Sequence, residues 1–121
     1  MGLGVDREVY VTFSKDKEKE FNKIYESLFE NDKEYTWVDR CYPEEEATIE
    51  DKLEGWRYGC HIKEDKYVID EFYGEKEGDD SILWNALASI VDDDSYINSW
   101  REDHCDYEWK FKDGKLEEIW K

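Results

Sequence analysis

Acidic residues run through every segment of this chain, among the aromatic residues that have to build its core. Thirty-four Asp and Glu residues stand against seventeen Lys and Arg residues in 121 residues, which gives a formal net charge of −17. A folded chain with this charge repels itself, so a strong apolar core has to hold it together. Six Trp, nine Tyr and five Phe residues supply large side chains for that purpose. Since aromatic residues are scarce in disordered chains, the sequence predicts a folded, strongly acidic protein.

The length predicts one domain that covers residues 1–121. Nucleic acid and anionic lipid would both be repelled by this charge, so neither is an expected direct partner. The first residues lack the basic and apolar segments of a secretory signal, and no apolar run approaches the ~20 residues of a membrane span. We therefore expect a cytoplasmic protein whose three cysteines are reduced.

Alternating apolar and polar residues predict that most of the chain forms strands. The stretch 5–13 is the clearest case, because β-branched and aromatic residues alternate there with polar ones. By the same criterion we expect strands at 35–41, 53–62, 67–73, 96–100, 107–111 and 116–120. Pro43 ends the second strand, and the segments 63–66 and 74–80 are expected to be a turn and a loop. Asp113 and Gly114 predict a tight turn between the last two strands, since glycine permits positive φ.

Two helices are expected where apolar residues recur at helical spacing. The first is capped by Ser14, ends within 29–32, and buries Phe21, Ile24, Tyr25 and Leu28. The second begins at Asp80 or Ser81, and its apolar stripe consists of Ile82, Leu83, Ala86, Leu87, Ile90 and Val91. The acidic triplet 92–94 ends this helix; because its charges oppose the helix dipole, we expect it to be exposed.

The predicted order of elements is β-α-β-β-β-α-β-β-β. Many strands with few, short helices are typical of an α+β fold. We expect an antiparallel or mixed sheet of about five to six strands, with two helices packed on one face.

Cysteine and histidine residues offer a set of potential zinc ligands. Cys60-His61, His104-Cys105 and Cys41 are of the right type for zinc, which needs about four N or S ligands. Neighbours on a strand point to opposite faces, however, so each pair supplies one ligand rather than two. A Cys–His nucleophile needs a lowered thiol pKa, which an acidic surface opposes. We therefore expect no metal, no cofactor and no catalytic residue.

The distribution of acids predicts a partner. Residues at i and i+2 on a strand lie about 6.5–7 Å apart on one face, which is close to the separation of neighbouring phosphates along a nucleic-acid strand. A net charge of about 2–8 is enough to keep a small domain soluble, and this chain far exceeds it. We therefore expect a basic protein partner. The acids expected at the contact are Glu44, Glu45, Glu46, Glu50, Asp51, Glu75, Glu77, Asp79, Asp80, Asp92, Asp93 and Asp94.

In size and composition the chain resembles small acidic inhibitors of phages and mobile elements, the DNA-mimic anti-restriction and anti-CRISPR proteins. The resemblance covers the whole chain as composition and implies no site residues. The stretch 96–115, with YINSW and YEWKFKDGK, is also similar to the closing hairpin of small ferredoxin-like proteins from plasmids and phages. The resemblance to the acidic inhibitors implies that this protein is an inhibitor and not an enzyme. Such an inhibitor blocks the nucleic-acid site of a basic protein by charge mimicry. A CRISPR effector is the favoured target, and a restriction enzyme is next.

Four alternatives remain open at this point. The charge is also that of a solubilising surface without a partner. An immunity protein that neutralises a basic nuclease toxin would use the same acids. A small metal-dependent enzyme would use Cys60, His61, His104 or Cys105. An allosteric binder of a CRISPR complex would use aromatic patches, and its binding would resist salt because it does not depend on exposed charges.

Overall fold

A six-stranded antiparallel sheet forms the centre of the molecule. The structure is a computed structural model that describes residues 4–40 and 46–121. Its strands are β1 (Val5–Ser14), β2 (Tyr58–Lys63), β3 (Lys66–Phe72), β4 (Tyr96–Arg101), β5 (Tyr107–Lys112) and β6 (Lys115–Trp120). The described helices are α1 (Glu18–Leu28), α2 (Ile49–Glu54) and α3 (Asp80–Leu87). The predicted α+β class is confirmed.

The strands lie in the order β2-β3-β1-β4-β5-β6. β3 therefore lies between β1 and β2, and β1 lies between β3 and β4. With α1 before β2 and α3 before β4, this is the order of the split β-α-β arrangement, which the β5–β6 hairpin extends at one edge. Both tight hairpins turn through two residues with positive φ, Glu64-Asp65 and Asp113-Gly114, as a type I′ turn requires.

The helices cover one face of the sheet. On β1 the side chains of Val5, Val9, Val11 and Phe13 point into the core. Aromatic residues fill the space between sheet and helices: Phe13 stacks on Phe21 of α1 at 5.7 Å between ring centroids. Three fully buried tryptophans belong to the same core cluster, namely Trp56, Trp84 and Trp109. The other face of β1 carries polar residues and is exposed from Asp6 to Tyr10.

The local signals at the start of the chain are confirmed in part, since α1 itself begins at Glu18 without a side-chain cap. Ser14 caps a short 3-10 turn (Lys15–Lys17) by accepting a hydrogen bond from the Asp16 N–H at 3.2 Å, and α1 follows directly. Phe21 and Tyr25 of α1 are buried as expected. Ile24 and Leu28 are partly buried against the core.

The strand predicted at 35–41 is wrong for its described residues 35–40, which form turns and irregular chain. Tyr35 packs against Phe29 and Trp56 at 5.5 and 5.2 Å between ring centroids, so a loop buries part of the apolar pattern. Trp37 has a left-handed φ of 63°, which interrupts extended chain. Cys41, Pro43, Glu44 and Glu45 lie outside the described residues.

Two further boundaries differ from the expectation. The strand predicted at 53–62 begins only at Tyr58, because α2 occupies the residues before it; a capping box between Thr48 and Asp51 starts this helix. α3 ends at Leu87, so Ile90 and Val91 are buried in the turn that follows. Its buried stripe includes Trp84.

Ile82 of the predicted stripe is 37% exposed. The residue at the cap position of α3 is Asp79, whose side chain makes no capping hydrogen bond. Apolar character alone does not show which side of α3 faces the core. The core side holds the indole of Trp84 and leaves Ile82 exposed.

One buried ion pair joins the sheet to α3. Arg7 lies on the core face of β1, and its guanidinium is 3.1 Å from the carboxylate of Asp80. Arg7 also donates hydrogen bonds to the hydroxyls of Ser99 and Tyr107, and Tyr58 donates to Asp80 at 2.5 Å. Burial works against the charge on Arg7, but the oxygens around it outweigh that effect and raise its pKa. Arg7 therefore keeps its positive charge inside the core.

Removing the charge of Asp80 is expected to destabilise the fold strongly. Asp80→Asn leaves the buried Arg7 without its counter-ion, and breaking a buried pair costs about 3–5 kcal/mol. The matched control is Asp39→Asn, since Asp39 pairs with Arg57 at 2.9 Å on an exposed part of the surface; an exposed pair is worth about 0–1 kcal/mol. Urea unfolding of both variants measures the difference. Equal losses of unfolding free energy would contradict this account of the core.

Candidate protein-binding surface

Two acidic loops meet at the start of β1. The Val5 N–H donates to the Glu75 carbonyl at 3.3 Å, and Gly4 forms a β-bridge with Lys76. From the other side, the Glu102 N–H donates to the Gly4 carbonyl at 2.9 Å. The first residues of β1 therefore hold loop 74–79 and loop 102–106 next to each other.

An open depression of about 500 Å³ lies between these loops. Four carboxylates line it, those of Asp6, Glu75, Glu102 and Asp106, and the indole of Trp100 forms part of its wall. The remaining lining residues are Gly4, Val5, Gly74, Arg101 and His104. We call this feature the acidic depression.

The arginine in the depression is already held by other acids. Arg101 is 3.2 Å from Glu77 and 2.9 Å from Asp103, and its guanidinium lies 5.5 Å from the Trp120 ring. Its side chain is only 16% exposed. Among the described residues, none of the four lining carboxylates forms an ion pair. The depression is therefore a concentrated negative site.

The acidic depression continues onto the open face of the sheet through paired residues of β1 and β4. Trp100 lies directly opposite Asp6, and Asn98 lies opposite Glu8 and donates to it at 3.1 Å. Tyr96 lies opposite Tyr10, with 6.4 Å between the ring centroids. Tyr10 and Trp100 are 48% and 47% exposed. We call Tyr10, Tyr96 and Trp100 the aromatic strip.

The sheet fixes the distances between the carboxylates of the open face. Asp6 and Glu8 are two residues apart on β1, hence about 6.5–7 Å apart. Glu108 of β5 lies opposite Asn98, so it is two strands from Glu8, or about 10 Å. The spacing along β1 is the phosphate-like spacing expected from the sequence. It occurs on one short, exposed stretch rather than along the whole chain.

Only part of the predicted contact set reaches this surface. Glu75 lines the acidic depression, and Glu77 lies beside it in the ion pair with Arg101. Asp79 accepts a hydrogen bond from the Thr36 N–H at 2.8 Å. Asp80 is buried, so the expectation that it is exposed is wrong; its pairing with Arg7 draws it into the core.

The acids Asp92, Asp93 and Asp94 lie at the other end of the sheet. Asp92 accepts hydrogen bonds from Thr12 at 2.7 Å and from Lys66 at 2.8 Å. Asp93 accepts from the Asp113 N–H at 2.9 Å. Since Val5 and Thr12 are seven residues apart on one strand, this end is about 23 Å from the acidic depression. Asp92 and Asp93 therefore hold neighbouring segments of the chain together at this end of the sheet.

The predicted contact acids within 44–51 form the third group. Glu50 and Asp51 belong to α2, which packs against the edge strand β2. Asp51 completes the capping box with Thr48. Glu46 is exposed, and Glu50 is half-buried near Cys60. Glu44 and Glu45 lie outside the described residues.

The contact residues predicted from the sequence do not include Asp6, Glu8, Glu102, Asp106 or Glu108. Asp6 and Glu8 alternate with apolar residues on β1, which marks an exposed face but not its neighbours. Their proximity to loop 102–106 depends on the β1–β4 register, which joins residues 86 to 96 positions apart. No local pattern contains that information.

The structure does not bring the potential zinc ligands together. Cys60 and His61 lie on β2, whereas His104 and Cys105 lie in the loop after β4, with β3 and β1 between those strands. In the part of the chain that the structure describes, no three His, Cys, Asp or Glu side chains are placed to hold a metal ion. Burial, with smaller effects of Glu50 and Asp70, raises the pKa of Cys60 to about 12. Its thiol is thus protonated at neutral pH.

None of the helices in residues 4–40 and 46–121 combines the length and apolar character needed to cross a bilayer. Comparison of the chain with protein-family models, with curated proteins and with solved structures finds no match in any of the three.

Cys60 is expected to react much more slowly than Cys105. At pH 8, a thiol with a pKa of about 12 is ionised in roughly one molecule in ten thousand, and the thiolate is the reacting form. Cys105 is exposed. In a Cys41→Ser background, iodoacetamide should modify Cys105 first, as measured by peptide mass spectrometry over time. Equal rates at the two thiols would contradict the expected protonation of Cys60.

Proposed function

We propose that this protein is an acidic inhibitor that binds a basic, nucleic-acid-handling protein and blocks its nucleic-acid site by charge mimicry. The favoured target is a CRISPR effector, with a restriction enzyme next. The observation that carries the proposal is the acidic depression, in which four carboxylates without ion pairs among the described residues surround an exposed indole. The chain as a whole carries a net charge of −17, which adds to the negative potential at this site.

The physical argument concerns association with a cationic groove. Proteins that bind nucleic acid attract it through clustered Lys and Arg residues, and binding releases counter-ions from the phosphates. A rigid surface with carboxylates at phosphate-like spacing benefits from the same attraction. Asp6 and Glu8 lie on a central strand of the sheet, so their spacing is fixed by the fold rather than by a flexible loop.

The arrangement also argues against a purely solubilising role for the acids. Acids that only keep a protein soluble need no particular placement, and most would lie beside basic residues. The exposed residues of α1 do mix the two signs, with Lys19 and Lys23 among Glu20 and Glu26. Loops 74–79 and 102–106, by contrast, carry six carboxylates against Lys76 and His104, and only Glu77 and Asp103 of the six pair with Arg101.

Reversing charges at the acidic depression is expected to abolish partner capture. The variant Asp6→Lys/Glu75→Lys/Glu102→Lys changes three lining residues. The control Glu20→Lys/Glu26→Lys/Glu30→Lys changes three exposed acids on and just after α1, on the other side of the sheet. Three reversals add six charges, so both variants go from −17 to −11. Only the first should lose binding, because net charge alone does not define the site.

The measurement is capture from host lysate at low and high salt, with bound proteins identified by mass spectrometry and then challenged with duplex DNA. We expect a salt-sensitive complex with a basic nucleic-acid-binding protein that DNA displaces. Capture of a nuclease toxin would assign the immunity role to the same surface. Equal loss in both variants, or a complex that resists salt and DNA, would contradict charge mimicry at this site.

A further inference from the structure

The open sheet face carries a second kind of group besides carboxylates, and it narrows the chemistry of the partner. We propose that the aromatic strip and its flanking carboxylates bind arginine side chains of the partner in preference to lysine. This inference rests on the proposed function and names the cation that the surface takes. The unit that takes an arginine is an exposed aromatic ring beside a carboxylate on the neighbouring strand, Trp100 with Asp6.

The clearest unit is Trp100 with Asp6. The two residues are directly opposite on β4 and β1, so their Cβ atoms are about 4.5–5.5 Å apart. Trp100 is 47% exposed, and within the described ranges its indole makes no ring contact, side-chain hydrogen bond or cation contact. Asp6 likewise has no ion pair among those residues. An indole and a carboxylate thus point outward side by side without a cation.

The same pair of groups holds arginine twice elsewhere in this chain. Arg7 lies over the Trp109 ring at 4.7 Å and pairs with Asp80. Arg101 lies over the Trp120 ring at 5.5 Å and pairs with Glu77. In both cases a guanidinium is held by a tryptophan face and a carboxylate. Trp100 and Asp6 present those groups to a guanidinium from outside.

The aromatic strip extends this arrangement along the sheet. The next pair along the strands is Glu8 with Asn98, and the one after it is Tyr10 with Tyr96. From Asp6 to Tyr10 the strand covers four residues, or about 13 Å. Several side chains of one basic surface therefore fit along it. An apolar partner fits poorly, because its contact would strip water from Asp6 and Glu8 without replacing their hydrogen bonds.

Arginine suits this surface better than lysine for a geometric reason. A guanidinium is planar, stacks on aromatic faces and donates two parallel hydrogen bonds to one carboxylate. A lysine ammonium is more strongly hydrated and acts as a point charge, so it gains from the carboxylates but less from the rings. Charge alone attracts both, and the aromatic strip discriminates between them.

Two peptides of equal charge test the inference, nona-arginine and nona-lysine, with binding measured by titration calorimetry at matched salt. Each stacked ring contributes about two- to fivefold in affinity, so the wild-type protein should prefer the arginine peptide by at least that factor. Trp100→Leu should reduce the preference, and Trp100→Tyr should retain part of it. The matched control is Trp37→Leu, since Trp37 is 44% exposed but lies in the loop near α3, away from the open face.

The outcomes separate the two proposals. Equal affinity of the wild-type protein for both peptides would overturn arginine selection and leave binding by charge intact. Failure of both peptides to bind would overturn the proposed function together with this inference. An unchanged preference in Trp100→Leu, or an equal loss in Trp37→Leu, would show that the aromatic strip is not the discriminating element.

Discussion

The buried ion pair between Arg7 and Asp80 is the interaction on which the arrangement of this surface depends. Asp80 is the first residue of α3 and directly follows the acidic loop 74–79. Because Arg7 holds Asp80 near the start of β1, the loop before Asp80 is drawn to the first residues of the same strand. Glu75 consequently lies beside Asp6, and Glu77 reaches Arg101. A charge buried in the core thus places charges on the surface.

The sheet divides the two tasks that the composition sets for this chain. Its covered face collects aromatic side chains, whose burial opposes the repulsion of a chain with charge −17. Its open face keeps carboxylates at fixed spacing on β1 and carries three rings of β1 and β4, of which those of Tyr10 and Trp100 are exposed. Because both faces belong to the same strands, the rigidity of the core is transmitted directly to the outer surface.

Features that depend on neighbours in the sequence were predictable, and features that depend on distant residues were not. The strand β1, the helix α1 and the Asp113-Gly114 turn follow from periodicity and turn chemistry. The stretch 35–40 alternates like a strand, yet packing of Tyr35 against Trp56 holds it as a loop. From its sequence neighbours, Asp80 is predicted to be an exposed acid. It is buried because it pairs with Arg7, which is 73 residues away. The acidic depression likewise requires the β1–β4 register.

Carboxyl-group footprinting measures the accessibility of each Asp and Glu side chain. Applied to the protein alone and in complex with its captured partner, it shows whether the acidic depression is the contact surface. We expect strong protection of Asp6, Glu8, Glu75 and Glu102 in the complex. Glu20 and Glu26 on α1 should be labelled as in the free protein. Protection of the α1 acids, with the carboxylates of the acidic depression still fully labelled, would contradict this expectation.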